Sequence, residues 1–121
     1  MLSSHLQTKR NRSLHPIRDE EYYVIKSIIC GETEFRRKNP ANHKAYIKLK
    51  RYALHVETRC HPLHGTEVQC LIHGKLIVPR TNEVNSIVEH FFRESLGEGS
   101  RALYHRIGEL FCSITENAVE V

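Results

Sequence analysis

The chain has 121 residues and a mass of 14.1 kDa, a size that corresponds to one domain, or at most two small ones sharing a core, and excludes the large α/β enzyme architectures. Its 40% apolar and 26% charged residues, with a mean hydropathy of −0.46, exclude an intrinsically disordered or membrane-embedded chain. No run approaches the ~18 consecutive apolar residues that cross a bilayer, and the four cysteines are too few for a disulfide scaffold.

Positive charge is concentrated in the first half of the chain. The net charge is +4, but residues 1–56 hold 12 Lys and Arg against 5 Asp and Glu, whereas residues 57–121 hold 6 against 9. Such a concentration attracts polyanions, because each Lys or Arg that neutralises a phosphate releases a condensed counterion. The alternative is an ordinary solvated helix face. The cations between residues 36 and 56, a range without any acidic residue, are Arg36, Arg37, Lys38, Lys44, Lys48, Lys50 and Arg51.

The N-terminal half predicts a flexible segment followed by two helices. Residues 1–17 lack periodicity and are expected to form a flexible basic arm. Asp19 is placed to cap a helix over residues 19–30, whose apolar residues recur at helical spacing. A second helix is expected to begin at Asn39 and Pro40, since proline is tolerated at the first helical position. The cations of the predicted arm are Lys9, Arg10 and Arg12.

The second helix is expected to present two different faces. One is an apolar stripe that faces the core, and the other is a cationic stripe whose members are spaced three or four residues apart. Because this segment contains no carboxylate, the cationic stripe is the main candidate for phosphate contacts. The apolar stripe is Tyr46, Leu49, Ala53 and Val56, and the cationic stripe is Lys44, Lys48, Arg51 and His55.

The middle of the chain predicts a β-hairpin. Residues 68–72 and 75–79 are rich in β-branched side chains, and they flank His73 and Gly74, which suit a tight hairpin loop. Two strands alone are only marginally stable, so the hairpin is expected to pack against the helices.

The C-terminal segment predicts three more helices. The third is expected to begin after Pro79 with Thr81 as its cap, while Ser100 caps a fourth helix and Thr115 a fifth. A short glycine turn between the third and fourth helices gives a helix-turn-helix-like bundle. The expected core positions are Val84, Ile87, Val88, Phe91, Phe92, Leu96, Leu103, Ile107, Leu110, Phe111, Ile114 and Val119.

Residues 71–121 resemble the N-terminal domain of retroviral and gypsy-type integrases. In that family a hairpin strand ends in Val-Pro, a helix leads to a histidine, and a Gly-rich turn joins it to a helix that ends in an aromatic residue. On this resemblance, residues 18–70 correspond to the extension domain that precedes the module in some members. The matching positions are Gly74, Lys75, Leu76, Val78, Pro79, Ile87, Val88, His90, Gly97, Gly99, Ile107, Phe111 and Val119.

The zinc site of the integrase family is incomplete in this sequence. In the family, two histidines and two cysteines bind zinc, and the metal holds the bundle together. His90 stands for the first histidine, but the position of the second falls at or near Gly97, and no cysteine pair follows. The resemblance therefore implies a degenerate or truncated copy, domesticated from a transposon in a nuclear protein, without the acidic catalytic core of an integrase.

A second group of metal-ligating residue types lies nearer the middle of the chain. Neutral imidazole and thiolate are the ligands that tetrahedral zinc prefers, but the spacing here differs from that of common zinc fingers. The alternative is that Cys70 is a buried strand residue and that His61, His64 and His73 lie on loops. The candidate zinc set is Cys60, His64, Cys70 and His73.

No catalytic nucleophile is expected. Cys30 and Cys112 lie at helix ends or on apolar stripes, where a thiol is protonated and inert. No base and orienting group can be placed beside either thiol.

On the fourth helix, Arg101 and His105 are expected to reach DNA in a helix-turn-helix arrangement. The alternative is a solvated helix face.

The sequence thus predicts a mainly helical α+β fold, divided into an arm over residues 1–17, an extension with the hairpin over 18–80 and a helical bundle over 81–121. The expected function is a non-catalytic nuclear DNA-binding module that contacts mainly the phosphate backbone and uses no cofactor. The alternative is a protein-interaction or self-association module, because Phe91 and Phe92 are adjacent and cannot both face the core. The expected DNA contacts are Arg36, Arg37, Lys38, Lys44, Lys48, Arg51, Arg101 and His105.

Overall fold

A computed structural model describes residues 14–31, 40–95, 97 and 99–119 of the chain. Within these residues, five α-helices and a three-stranded antiparallel sheet form an α+β fold, which confirms the predicted α+β class. The helix-turn-helix-like arrangement of the C-terminal helices stays a prediction. None of the described helices is long and apolar enough to cross a bilayer. The helices are α1 (Asp19–Ile29), α2 (Pro40–Arg51), α3 (Val84–Glu94), α4 (Ser100–Gly108) and α5 (Glu116–Val119). The strands are β1 (His55–His61), β2 (Thr66–His73) and β3 (Leu76–Ile77), and a 3₁₀ turn (Thr81–Glu83) precedes α3.

The sheet is a meander in which β2 lies between β1 and β3. Residues 62–65 join β1 to β2, and the two strands pair from His55 opposite Ile72 to His61 opposite Thr66. This longer hairpin was not predicted. Most side chains of β1 are exposed or half-buried, so the strand lacks the alternation of apolar and polar residues that indicates a strand in sequence.

The predicted β2–β3 hairpin is confirmed, although β3 is short. Gly74 in its turn has a φ of 64°, a left-handed conformation that glycine adopts without strain. The segment after α4 closes the outer edge of β3: the Ile77 N–H donates to the Leu110 carbonyl at 2.8 Å, and the Cys112 N–H donates to the Ile77 carbonyl at 3.0 Å. The helix α4 ends at Gly108, and Leu110 is 42% exposed, so the prediction that Leu110 is a core residue is wrong.

Both faces of the sheet are covered by helices. Successive side chains of a strand point to opposite faces, so Cys70 and Ile72 pack against the C-terminal helices, whereas Leu71 packs against α1 and α2. The C-terminal cluster includes Ile87, Phe91, Leu103, Ile107, Phe111, Ile114 and Val119. The N-terminal cluster includes Leu14, Ile17, Tyr22, Ile25, Ala45, Leu54 and Val78. The molecule therefore has three layers, with helices on either side of one shared sheet.

A buried hydrogen bond and an ion pair join α1 to the rest of the fold. The Tyr22 hydroxyl accepts the backbone N–H of Leu71 at 3.0 Å, and burial raises the pKa of Tyr22. Arg80 donates to the Asp19 carboxylate at 2.8 Å and lies over the Tyr22 ring at 4.9 Å. Asp19, predicted as the N-cap, is instead the first helical residue, and Arg18 occupies the cap position.

The segment before α1 is part of the core. Leu14 and Ile17 are buried, and the Ile17 N–H donates to the Pro79 carbonyl at 3.1 Å while its own carbonyl accepts the Thr81 N–H at 2.8 Å. The predicted flexible arm is therefore wrong for residues 14–17, because two apolar side chains are too few to appear as a periodic pattern. Lys9, Arg10 and Arg12 lie outside the described residues.

The second helix ends earlier than predicted. Ala53 has a φ of 49°, in the left-handed region that commonly terminates helices. The Leu54 N–H donates to the Leu49 carbonyl at 3.0 Å and the Ala53 N–H to the Lys50 carbonyl at 3.3 Å, the two bonds of a Schellman motif. The predicted apolar stripe therefore ends at Leu49, and His55 leaves the cationic stripe because it begins β1.

Besides Asp19, two more of the predicted helix caps differ from the structure. Thr81 begins the 3₁₀ turn rather than capping α3, and Gly99 rather than Ser100 is the N-cap residue of α4. Thr115 caps the last helix as predicted, since its hydroxyl accepts the Ala118 N–H at 3.2 Å.

Candidate nucleic-acid interface

Three of the four residues predicted to form the cationic stripe of the second helix, Lys44, Lys48 and Arg51, lie together in the structure. They occur at steps of four and three residues, which places their side chains on the same side of α2. They border an open groove of about 250 Å³ on the side of α2 that faces α1. The residues that line this cationic groove are Glu21, Lys44, Ile47, Lys48, Arg51 and Tyr52.

One cation of the cationic groove is neutralised by a carboxylate. Lys48 donates to Glu21 of α1 in a partly exposed ion pair. The expectation that no carboxylate offsets the cationic stripe is therefore wrong at this position, because the packing of α1 on α2 brings in Glu21. Lys44 and Arg51 are exposed, and neither forms an ion pair within the described part of the chain. Two cations thus remain available to an anionic ligand.

The other predicted DNA contacts do not join the cationic groove. Arg36, Arg37 and Lys38 lie outside the described residues. Arg101 and His105 are exposed one turn apart on α4, which packs on the opposite face of the sheet from α2. The structure therefore brings together Lys44, Lys48 and Arg51 and leaves the α4 pair as a separate surface.

The candidate Cys2His2 zinc set is not assembled. Cys60 and Cys70 are three positions apart along the β1–β2 ladder, or roughly 10 Å at about 3.4 Å per residue. Burial raises the pKa of the Cys70 thiol, which disfavours the thiolate that binds zinc. The His73 Nδ1–H donates to the Tyr52 carbonyl at 2.9 Å, so this ring is engaged elsewhere. The interpretation of these four residues as a zinc site is wrong.

A different cluster of potential ligands was not predicted. His61, expected on a loop, is the buried last residue of β1, and burial lowers its pKa. Its side chain lies near His64 and Glu83, and one ligand atom from each residue lies within 4.8 Å of the others. Sequence spacing gave no signal for this cluster, because Glu83 belongs to the turn before α3 and meets the histidines only in the folded chain.

The residues that correspond to the integrase zinc site do not form one. His90 Nε2 lies 3.5 Å from Glu94 Oε1 one turn along the same helix, in an ordinary surface pair. Gly97 stands at the position of the second histidine and supplies no side-chain ligand. The zinc set of that family therefore does not fit this segment.

The two cysteines considered as nucleophiles lie in different surroundings. Cys30 is exposed just after α1, whereas Cys112 is half-buried. Burial raises the pKa of the Cys112 thiol, even though the Ser113 hydroxyl donates to its sulfur at 3.4 Å. A protonated thiol is a poor nucleophile, so Cys112 has the properties of a packing residue.

An apolar groove lies on the outer side of α3. Phe91 is buried and Phe92 is 59% exposed, so the adjacent pair splits between core and surface. Leu96, an expected core residue, lies outside the described residues. The residues that line the groove are Asn85, Val88, Glu89, Phe92 and Ala118.

Comparison with known proteins identifies no relative of this chain. No protein-family model, no curated protein and no solved structure matches it. The resemblance to integrase N-terminal domains therefore depends only on the residues quoted from the sequence, and it stays a prediction.

Proposed function

We propose that the chain is a non-catalytic nuclear module that binds duplex DNA mainly through the phosphate backbone, with the cationic groove as its contact surface. Two exposed cations without a carboxylate partner in the described part of the chain, Lys44 and Arg51, carry this proposal. Seven residues of helix at about 1.5 Å each separate them by roughly 10 Å, which spans about three base-pair steps of 3.4 Å. Both side chains can therefore contact phosphates of one strand.

Lys48 adds a third contact when DNA displaces its carboxylate partner. Its ion pair with Glu21 is partly exposed, and such pairs contribute only about 0–1 kcal/mol. A phosphate oxygen competes for the same ammonium group, so exchange of Glu21 for phosphate has a small free-energy cost. Arg36, Arg37 and Lys38, which lie outside the described residues, precede α2 in sequence and add three positive charges to this part of the sequence. The resemblance to integrase modules supports the same proposal, since it indicates a regulator derived from a transposon.

Binding of a fluorescently labelled duplex, followed by anisotropy at several salt concentrations, tests the proposal. We expect the logarithm of affinity to fall linearly with that of salt, by about 0.9 for each phosphate contacted. Lys44→Ala and Arg51→Ala should each reduce the slope by about 0.9. Lys75→Ala is the matched control, because it removes an exposed cation of the β2–β3 turn that does not line the cationic groove. Undetectable binding at low salt, or an equal loss for Lys75→Ala, would contradict the proposal.

Self-association or recruitment of a nuclear protein is the alternative function, and the exposed Phe92 ring favours it. A large apolar side chain beside an open groove is typical of an interaction surface. Light scattering at several protein concentrations separates the two functions. A monomer that binds the duplex supports DNA binding, whereas a stable dimer that is indifferent to DNA and dissociates in Phe92→Ser supports self-association.

A further inference from the structure

Three potential metal ligands converge where the β1–β2 turn meets the start of α3. Glu83 Oε2 lies 3.7 Å from His61 Nε2 and 4.0 Å from His64 Nε2. Tetrahedral zinc with bonds of about 2.0–2.2 Å holds its ligand atoms about 3.4 Å apart. The two Glu83 separations exceed that value by about 0.3 and 0.6 Å, and all three ligand atoms lie within 4.8 Å of one another. Side-chain rotations, chiefly of the exposed His64, can therefore bring them to bonding distance.

The fold itself positions two of these ligands. The buried His61 ring packs edge-on against Phe111, with 5.4 Å between ring centroids. Glu83 Oε1 accepts the backbone N–H of Arg80 at 3.1 Å, which leaves Oε2 facing the imidazoles. The Arg80 Nε is buried without a hydrogen-bond partner among the described residues and lies 3.7 Å from the same Oε1. In metalloproteins, packing contacts and hydrogen bonds made by the ligating side chains with neighbouring residues fix the orientation of the ligand atoms.

The third ligand leaves one side of the cluster open to solvent. His64 belongs to the tight turn after β1, in which the N–H groups of His64 and Gly65 both donate to the His61 carbonyl at 3.0 Å. Its side chain is 43% exposed. Three protein ligands with a fourth position open to water are a common arrangement around zinc.

We propose that His61, His64 and Glu83 bind one divalent first-row transition metal ion, with zinc as the best match. Two imidazoles and one carboxylate suit zinc, whereas calcium and magnesium take six or more oxygen ligands. The ion links the β1–β2 turn to the start of α3 and so fastens the C-terminal helices to the sheet. None of the three residues lines the cationic groove, so the site does not depend on DNA binding.

Metal binding requires one local rearrangement. In the free protein, His61 Nδ1 accepts the backbone N–H of Leu63 at 3.2 Å, so the neutral ring carries its proton on Nε2, on the side of Glu83. Coordination through Nε2 places that proton on Nδ1 instead, and the Leu63 N–H loses its acceptor. The amide resonance of Leu63 should therefore shift strongly when zinc binds.

Calorimetric titration of the tag-free protein with zinc tests the site. We expect one equivalent to bind to the unmodified chain, and His64→Ala to bind at least about tenfold more weakly, since loss of even an outer-shell partner costs that much. The His64 side chain is exposed, so its removal leaves the fold intact. His55→Ala is the matched control: His55 is also exposed and lies 2.9 Å from a carboxylate, that of Glu57, but has no third potential ligand beside it among the described residues. Its zinc affinity should be unchanged.

Cobalt and thermal unfolding provide independent readouts. Bound cobalt should give visible absorption without the near-ultraviolet band of thiolate ligands, because the site contains no cysteine. Excess zinc should raise the Tm of the unmodified chain and of His55→Ala by more than that of His64→Ala, since a ligand stabilises the state it binds in proportion to the logarithm of its affinity. Absence of zinc binding, equal affinity in His64→Ala, or a thiolate band with cobalt would each overturn the proposal.

Discussion

Glu21 determines how much positive charge the cationic groove presents. The residue lies in the first turn of α1, where a carboxylate interacts favourably with the helix dipole, and it pairs with Lys48 across the groove. Because the pair is partly exposed, its contribution to stability is at most about 1 kcal/mol. Its main effect is therefore on ligands: the carboxylate occupies Lys48 and repels phosphate from the same region.

Removing this carboxylate should strengthen DNA binding. In the unmodified chain, DNA that displaces Glu21 from Lys48 leaves a free carboxylate that takes up a cation, whereas Glu21→Gln frees Lys48 before DNA binds. The variant is therefore expected to steepen the salt dependence by up to about 0.9, the value for one full phosphate contact. Glu20→Gln is the control, because Glu20 is an exposed neighbour on α1 and its replacement changes the net charge equally. Duplex titrations at several salt concentrations measure both slopes. If the two variants behave alike, only net charge matters, and the specific role of Lys48 is contradicted.

At the scale of the element, α2 is terminated by an alanine whose backbone has the left-handed conformation that favours glycine. Ala53 closes the Schellman motif at a φ of 49°, a region that costs a residue with a Cβ about 1–2 kcal/mol. The sequence carried no glycine or asparagine to mark the stop, so the periodicity of apolar residues predicted a helix that continues into the first residues of β1.

Ala53→Gly should therefore stabilise the protein. We expect a gain of about 0.5–1 kcal/mol, part of the strain being offset by the greater freedom of glycine in the unfolded chain. This corresponds to a rise in Tm of roughly 2–5 °C for a domain of this size. Ala102→Gly is the control: Ala102 is exposed within α4, where glycine costs about 0.5–1 kcal/mol. Opposite shifts in thermal unfolding support the assignment, and a loss of stability in Ala53→Gly contradicts it.

At the scale of the whole molecule, helical periodicity in the sequence located helices reliably, whereas most helix caps and the contacts between distant segments were not predicted correctly. Helical periodicity located α1 and α3, and the spacing of Lys44, Lys48 and Arg51 placed them on one face, because both depend on residues within two turns of each other. The neutralising Glu21 was not predicted, since it reaches the groove only when α1 packs on α2. For the same reason, the proximity of Glu83 to His61 and His64 could not be predicted from the sequence.

The shared sheet predicts that the two helical layers unfold together. Ile25 packs on the N-terminal side of the sheet and Ile107 on the C-terminal side, and both are fully buried. The two clusters meet across β2, since adjacent residues of that strand belong to different clusters. Loss of one layer exposes apolar surface of the strand that supports the other, so partial unfolding is unfavourable. A chain of this length is also within the range where two-state unfolding is usual.

Ile25→Val and Ile107→Val test this coupling with the same small deletion in each layer. Each should lower the free energy of unfolding by about 0.5–1.5 kcal/mol and shift one common transition, followed by circular dichroism in urea and by calorimetry. Ile47→Val is the control, because Ile47 is 43% exposed and its change should stay within about 0.5 kcal/mol. Two separate transitions, each shifted by only one of the core variants, would instead show that residues 18–80 and 81–121 unfold as independent units. In that case the sheet would be stabilised by the helices of one layer alone.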